Sequence, residues 1–281
     1  MSYLVLHKDA NVLVVQTTVG ESPVSATQPY GGYNLGLHVG DHAESVYQHR
    51  ADLLVQLQQA SHPSTSDTRN IKRIDWLTQV HGNQVYHVTE QLHTHPISAD
   101  AHITTLPSVA LAIMTADCVP VMIATENGEV IGAVHAGWQG LAKNVIANTI
   151  QKMAHQIDIQ NQDLTATELY KVTQNWQAWV GACIASQNYE VDNRVKDAIL
   201  SVLNVTEAQA NLLFKPSEKT GHYYADLAKV AELQLNACGI ANVMQSGLDS
   251  YADERFYSYR KQTQDNLPNT GRMATLIIKK G

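Results

Sequence analysis

Cysteine is scarce in this 281-residue chain: three residues, Cys118, Cys183 and Cys238, with no CxxC pair. An odd count without paired spacing argues against a disulfide framework and against a compact zinc finger. Long apolar runs are also missing, and none approaches the ~20 residues a membrane helix needs. The opening Met1-Ser2-Tyr3-Leu4-Val5-Leu6-His7-Lys8 has neither the basic start nor the extended apolar stretch of a secretory signal. Basic residues are outnumbered, 19 against 26 acidic ones, and scattered, so no nucleic-acid face or polybasic anchor is expected. No repeat, coiled coil or confident linker divides the chain. These absences leave a cytoplasmic globular protein of one domain, residues 1–281, with neither nucleic acid nor membrane as partner. The oligomeric state stays open, a homodimer included.

What is present is a mixture of strands and helices without regular βαβ alternation, which predicts an α+β fold. Val109–Ile113, Val119–Ala124 and Val130–Val134 read as strands, with Asn127-Gly128 as a two-residue turn between the last two. Asn83–Val88, Phe256–Arg260 and Met273–Ile278 read as further strands. A 3.6-residue period predicts helices carrying Leu141 to Met153, Val195 to Leu203, and Leu227 to Cys238, the last stopped by Gly239. Asp41 to Glu44 fits a capping box before a helix with Val46, Leu53, Leu54 and Leu57 on one face. Arg50 falls on that same face and needs a carboxylate or an anionic ligand there. Ser61–Asn70 is a polar loop, and Gln160–Gln174 is a loop or weak helix.

Chemistry concentrates in three short motifs: Thr78-Gln79-Val80-His81-Gly82, Thr115-Ala116-Asp117-Cys118-Val119-Pro120 and Ala133-Val134-His135-Ala136-Gly137-Trp138. If Glu126 pairs with Glu129, paired residue numbers sum to 255, and Cys118 lies opposite Gly137, diagonal to His135. Such neighbours are roughly 7–8 Å apart at the backbone and closer at the side-chain tips. Pro120 has no N–H to donate, so the ladder opens there and leaves Cys118 at a strand end. The helix expected after Gly137 would turn N–H groups toward an anion near the thiol. Two imidazoles and a thiolate suit tetrahedral zinc with an open fourth position, or a cysteine–histidine reaction centre. His93-Thr94-His95 carries the one HxH spacing.

These motifs resemble the YfiH family, also called the laccase-domain or FAMIN-like family. Further matching blocks are Asn34-Leu35-Gly36-Leu37-His38-Val39-Gly40-Asp41, Ala99-Asp100-Ala101-His102-Ile103-Thr104, Phe256-Tyr257-Ser258-Tyr259-Arg260 and Thr270-Gly271-Arg272-Met273-Ala274. The resemblance implies a single-domain α-β-β-α sandwich, likened also to the catalytic domain of cytotoxic necrotizing factor. It implies a metal site at His81, Cys118 and His135, the same residues being catalytic. It implies purine nucleoside phosphorolysis on adenosine, inosine or 5′-methylthioadenosine, with adenosine deamination beside it. A nucleoside and phosphate are then the partners, and zinc, rather than copper, the cofactor. Departures are Gln139, where the family commonly has Arg, the block Gly181-Ala182-Cys183-Ile184-Ala185-Ser186, and Asp249 near a position commonly Cys.

Several readings of the site remain open on the sequence. In a zinc-dependent nucleoside enzyme, phosphate would be held by N–H groups beyond Gly137 and by Arg50 or Arg260. Asn34 or Asp117 would meet the purine, or Asp117 would orient a ligand. In a cysteine amidase, Cys118 is nucleophile and His135 its base, editing UDP-N-acetylmuramyl-L-serine precursors. A copper polyphenol oxidase needs several HxH pairs, and the chain offers one.

Overall fold

The structure, a computed structural model, describes residues 2–61, 71–157, 164–267 and 269–280. The expected loop Ser61–Asn70 lies outside the described residues from position 62 on.

Two sheets face one another. The first runs β1 (Tyr3–Lys8), β2 (Val12–Thr17), β14 (Met273–Lys279), β6 (Val109–Thr115), β3 (Arg73–Trp76). The second runs β13 (Asn242–Gln245), β9 (Gln177–Val180), β7 (Val119–Ala124), β8 (Ile131–Ala136), β5 (Ala101–Thr104), β4 (Val85–His87). A small sheet of β10 (Glu190–Asp192), β12 (His222–Ala225) and β11 (Phe214–Pro216) lies beside them. The central strands β6, β7 and β8 are apolar and buried along their whole length, as strands covered on both faces must be.

Val12, Val14, Leu111, Ile113 and Ile277 of the first sheet meet Met122, Ala124, Ile131, Ala133 and Trp179 of the second. Helix α1 (Ala43–Ser61) lays Leu53 and Leu57 on the outer face of the first sheet, against Leu13, Val15, Ala110 and Leu276. Helices α3 (Val145–Ile157) and α7 (Leu227–Ala237) cover the second sheet, with Ile146, Ile150, Met153 and Val230 against Val121, Ile123 and Val134. The result is an α-β-β-α sandwich of the α+β class. Four short helices, α2 (Trp138–Leu141), α4 (Ala166–Thr173), α5 (Asn193–Leu200) and α6 (Glu207–Leu213), and α8 (Tyr259–Gln264) near the C-terminus complete it.

The hairpin register is the expected one: Val119 pairs with Ala136, Pro120 with His135 and Val121 with Val134. Its turn differs. Gly128 alone takes positive φ, at 67°, and its N–H reaches Thr125 O, so four residues rather than Asn-Gly form the loop. Three other expectations are corrected. The helix expected from Leu141 to Met153 is broken by Asn144 at φ 57°, which no right-handed helix accommodates. Phe256–Arg260 is not a strand: Phe256 and Tyr257 are buried, and Ser258 caps α8 by accepting Lys261 N–H. Asp41 is not the N-cap of α1, because its carboxylate is taken by the Asn34 amide and the His42 N–H, and the helix starts at Ala43. Within Gln160–Gln174, Thr165 closes a capping box with Glu168 and starts α4; residues 160–163 lie outside the described part.

Between β6 and β7 the chain passes from one sheet to the other in three residues, Ala116-Asp117-Cys118. Asp117 makes this possible at φ 100°, a conformation that costs an L-residue of order 1–3 kcal/mol. Met273, the first residue of β14, pairs with Thr115, so Arg272 stands at the same end of the sandwich.

Because α1 holds its sheet by one face, truncation there should be costly in proportion to burial. Leu53→Ala, at a site with 0% exposure, should lose about 2–5 kcal/mol. Val55→Ala, 49% exposed on the same helix, should stay within about 0.5 kcal/mol in urea titrations.

Candidate active site

The three motifs meet at that end of the sandwich. His81, Cys118 and His135 each offer a donor atom, and these atoms lie within 4.8 Å of one another. Cys118 Sγ is 4.0 Å from His81 Nε2, and the two imidazole rings meet edge to face at 4.8 Å. His135 is buried, Cys118 partly exposed and His81 exposed, so the group opens to solvent on one side. A Cβ at position 137 would stand 3.0 Å from Cys118 Sγ, and glycine there is what lets the sulfur seat between the histidines.

Asp100, fully buried at the start of β5, organises the group. Its carboxylate accepts His135 Nδ1 at 2.8 Å and the backbone N–H groups of His81 at 2.8 Å, Gly82 at 2.6 Å and Val80 at 3.3 Å. One buried anion thus fixes the ring of His135 and the turn that carries His81, itself at φ 57°. Burial opposes the charge, but His135 and these N–H groups outweigh it and hold Asp100 below the usual carboxylate range. With Nδ1 engaged, Nε2 is the remaining ring nitrogen of His135. A carboxylate behind a ligating histidine is the common outer arrangement of protein metal sites.

The donor set fits a transition metal. Tetrahedral zinc with nitrogen at about 2.1 Å and sulfur at about 2.3 Å needs donors about 3.5 Å apart, within 1–1.5 Å of those here. Only this cluster of three or more histidine, cysteine or acidic donors occurs among the described residues. His93 of the HxH pair instead meets the Tyr86 hydroxyl at 2.7 Å on another surface.

The electrostatics also prepare a nucleophile. Burial pushes the Cys118 thiol up, but the charge of His135 and hydrogen bonds from both histidines bring it down to about 6. Burial disfavours the His135 imidazolium, and the thiolate and Asp100 more than reverse that, raising its pKa.

Around the group is a cleft of about 510 Å³, walled by Trp138, Tyr189 and Tyr259 and by His38, Gln79, Gln139, Arg260 and Arg272. Of the residues expected at the site, His81, Cys118, His135, Asp117 and Arg260 line this cleft, and Gly137 backs the sulfur. The carboxylate of Asp117, however, is committed to Arg260 N–H at 2.6 Å and Ser250 Oγ at 2.7 Å, and burial raises its pKa. It ties α8 to the sheet crossover and orients neither histidine.

Two expected residues lie outside the cleft. Arg50 has no carboxylate partner among the described residues and lines a separate cleft with Arg73, Trp76 and His93. Its Nε and NH2 donate to Leu35 O at 3.0 and 2.7 Å, and its guanidinium stacks on Trp76 at 4.1 Å. Asn34 is fully buried with its amide spent on Gly36, Asp41 and the N–H of Arg272. The helix after Gly137 is the four-residue α2, too short to build an anion site of its own. Asp249 accepts from Ala185 N–H and the Asn188 amide and serves the loop after β9.

Asp100, Arg272 and Gln79 are the residues that motif reading left without a role. Asp100 and Arg272 sit inside matching blocks, but neither has a local spacing that announces its partners.

Two outcomes follow. Asp100→Asn should weaken metal retention by about 10- to 100-fold against a chelator titration, with the fold kept. In metal-free protein, iodoacetamide should modify Cys118 at a rate that rises through pH about 6, as thiolate replaces thiol. Cys183 and Cys238, pushed by burial to about 12 and about 11, should stay unmodified at pH 7 in peptide maps.

Comparison with known proteins bears on the family and the fold. Residues 14–280 match the family described as multi-copper polyphenol oxidoreductase laccase. A purine nucleoside phosphorylase of Pseudomonas aeruginosa is 32% identical over 250 residues, 89% of this chain and 86% of that one. The purine nucleoside phosphorylase YfiH of Escherichia coli is 30% identical over 89% of this chain and 87% of its own. Among solved structures, a Neisseria meningitidis protein aligns over 100% of both chains with a TM-score of 0.77 at 29% identity. A Bacillus licheniformis protein named YfiH aligns over 99% of this chain and 96% of its own, with a TM-score of 0.78 at 25% identity. The chain belongs to this laccase-domain family of YfiH proteins.

Proposed function

We propose that this protein is a purine nucleoside phosphorylase that works at the His81–Cys118–His135 centre. The observation that carries the reading is this donor set at the floor of a nucleoside-sized cleft, in a chain about 30% identical to relatives that bear that name. A volume of about 510 Å³ lies within the roughly 300–1,000 Å³ typical of small-molecule sites. In phosphorolysis the bond from sugar C1′ to the purine nitrogen breaks, and its electron pair leaves with the base. A phosphate oxygen bonds to C1′, and the base takes up a proton.

Each wall of the cleft has a role in this reading. Trp138, Tyr189 and Tyr259 offer ring faces to a purine. Gln139, whose side-chain amide makes no hydrogen bond among the described residues, is free to meet the base edge. Asn34 and Asp117 are too fully engaged to do so. Asp100 orients His135 and the turn of His81, the two residues that with Cys118 would hold a metal. Zinc is the ion the donor set suits best, and when bound it supplies Lewis acidity. Adenosine deamination at the same centre is the accompanying activity in this reading. Laccase-type oxidation needs more than one copper centre, and the described residues carry one donor cluster.

A second reading has one observation in its favour. Cys118, His135 and Asp100 stand in series as nucleophile, base and orienting carboxylate, which suits thiolate attack on an amide. The helix that follows Gly137 is the four-residue α2, too short to offer the row of N–H groups such a reaction would want.

The test is inosine with and without phosphate, followed by chromatography of base and sugar phosphate. Hypoxanthine release should require phosphate, and Cys118→Ala should lower it by at least 100-fold while also releasing the metal. Amide hydrolysis that survives complete metal removal, with no phosphorolysis in the metal-loaded enzyme, would replace this reading by the second.

A further inference from the structure

We infer that Arg272 and Arg260 form an anion subsite of the cleft and hold the phosphate co-substrate there. The inference rests on the phosphorolytic reading for the identity of the anion and on geometry for the subsite itself.

Arg50 and Arg73 donate to backbone carbonyls, whereas the two exposed arginines among the described residues are neutralised, Arg194 by Asp192 at 2.7 Å and Arg255 by Asp253 at 2.6 Å. The two arginines of the cleft are not. Arg272 donates NH1 to the carbonyls of Thr270 and Gly271, which leaves Nε and NH2 without a partner among the described residues. Arg260 gives NH2 to Glu190 O, lies over the Tyr189 ring at 5.0 Å, and keeps Nε and NH1 uncommitted. Neither guanidinium has an ion-pairing carboxylate among the described residues. The nearby Asp117 carboxylate goes to the backbone N–H of Arg260, not to its side chain.

The protein builds this arrangement deliberately. The N–H of Arg272 is held by the buried Asn34 Oδ1 at 2.8 Å, and Gly36 makes room for its stem, since a Cβ there would lie 2.8 Å from Arg272 Cγ. Burial lowers the guanidinium pKa of Arg272 against the opposing charges of Cys118 and Asp117. A partly desolvated cation without a counter-ion costs free energy that a bound anion returns. Two forked guanidinium groups match the geometry of a tetrahedral oxyanion. Free phosphate and the 5′-phosphate of a nucleotide share that chemistry, and the proposal commits to free phosphate.

The test uses metal-loaded enzyme as purified, with Arg272→Gln and Arg272→Lys. Equilibrium dialysis with radiolabelled inorganic phosphate reads binding without catalysis, and inosine phosphorolysis reads the KM for phosphate. Arg272→Gln should weaken phosphate at least tenfold in both, with metal content unchanged and the KM for inosine moved less than threefold. Arg272→Lys, which keeps charge and stem, should recover part of the loss. Phosphate binding unchanged in both variants overturns the subsite while leaving phosphorolysis standing. Arg272-dependent phosphate binding in an enzyme that releases no base supports the subsite and removes the functional reading instead. Inosine 5′-monophosphate binding more tightly than phosphate, and losing as much in Arg272→Gln, overturns the assignment to free phosphate.

Discussion

A single buried carboxylate holds the centre together. Asp100 takes four donors at once, one from the ring of His135 and three from the consecutive N–H groups of Val80, His81 and Gly82. A charge removed from water is tolerated only when its lone pairs are filled in this way. The consequence is geometric. His135 belongs to β8, while His81 lies on an irregular turn after β3, in the other sheet. Backbone bonds tie Thr78 and Gln84, on either side of the turn, to residues 97–101, and the Asp100 carboxylate fixes the turn itself against the ring of His135. His81 adopts φ 57°, and three N–H groups converging on one carboxylate offset the cost of that conformation.

The sandwich supplies the second constraint. Its sheets are joined at the site by three residues, with Asp117 in a left-handed conformation and its carboxylate capping the neighbouring α8. This crossover projects Cys118 from the end of both sheets, and the proline after it sits opposite His135 at the end of the β7–β8 ladder. Arg272 reaches the same end because β14 begins opposite Thr115. The thiol, the buried imidazole of His135 and Arg272 therefore stand at strand termini of the packed sheets, while Arg260 is carried by α8 and His81 by the turn between β3 and β4. A reactive pair on a rigid frame loses little entropy when a ligand arrives.

What the sequence revealed depended on range. The β7–β8 register was legible because a short turn fixes it, and with it the approach of Cys118 to His135. The motif blocks made the arrival of His81 legible as well. The anion that unites them was not, because Asp100 acts through contacts 18 to 35 positions away that no periodicity encodes. Arg50 misled for a related reason: a helix face shows that a cation is turned inward, not that a carbonyl and an indole ring await it. Asn144 looks like an ordinary helical residue, and only the need to turn the chain between α2 and α3 gives it a positive φ. The N-terminal strands β1 and β2 and the edge strand β3 drew no reading at all, since short segments acquire strand character from their neighbours.

Charge balance bears on whether the thiolate serves as ligand or as nucleophile. Asp100 and a Cys118 thiolate put two negative charges side by side in a buried setting, and a protonated His135 offsets one of them. Exchanging that proton for a divalent ion, with both imidazoles neutral, offsets both. The second arrangement leaves no net charge in the protein interior, and the Coulomb cost of the first grows as the effective dielectric falls. The group is graded in exposure, from buried His135 to exposed His81, so the side on which an ion would be held is open to solvent. The same balance explains why the cationic wall of Arg272 and Arg260 needs an anion of its own. Once the centre is neutral, its sulfur no longer compensates the guanidinium groups, and the positive field of the cleft is left for whatever oxyanion the reaction brings in.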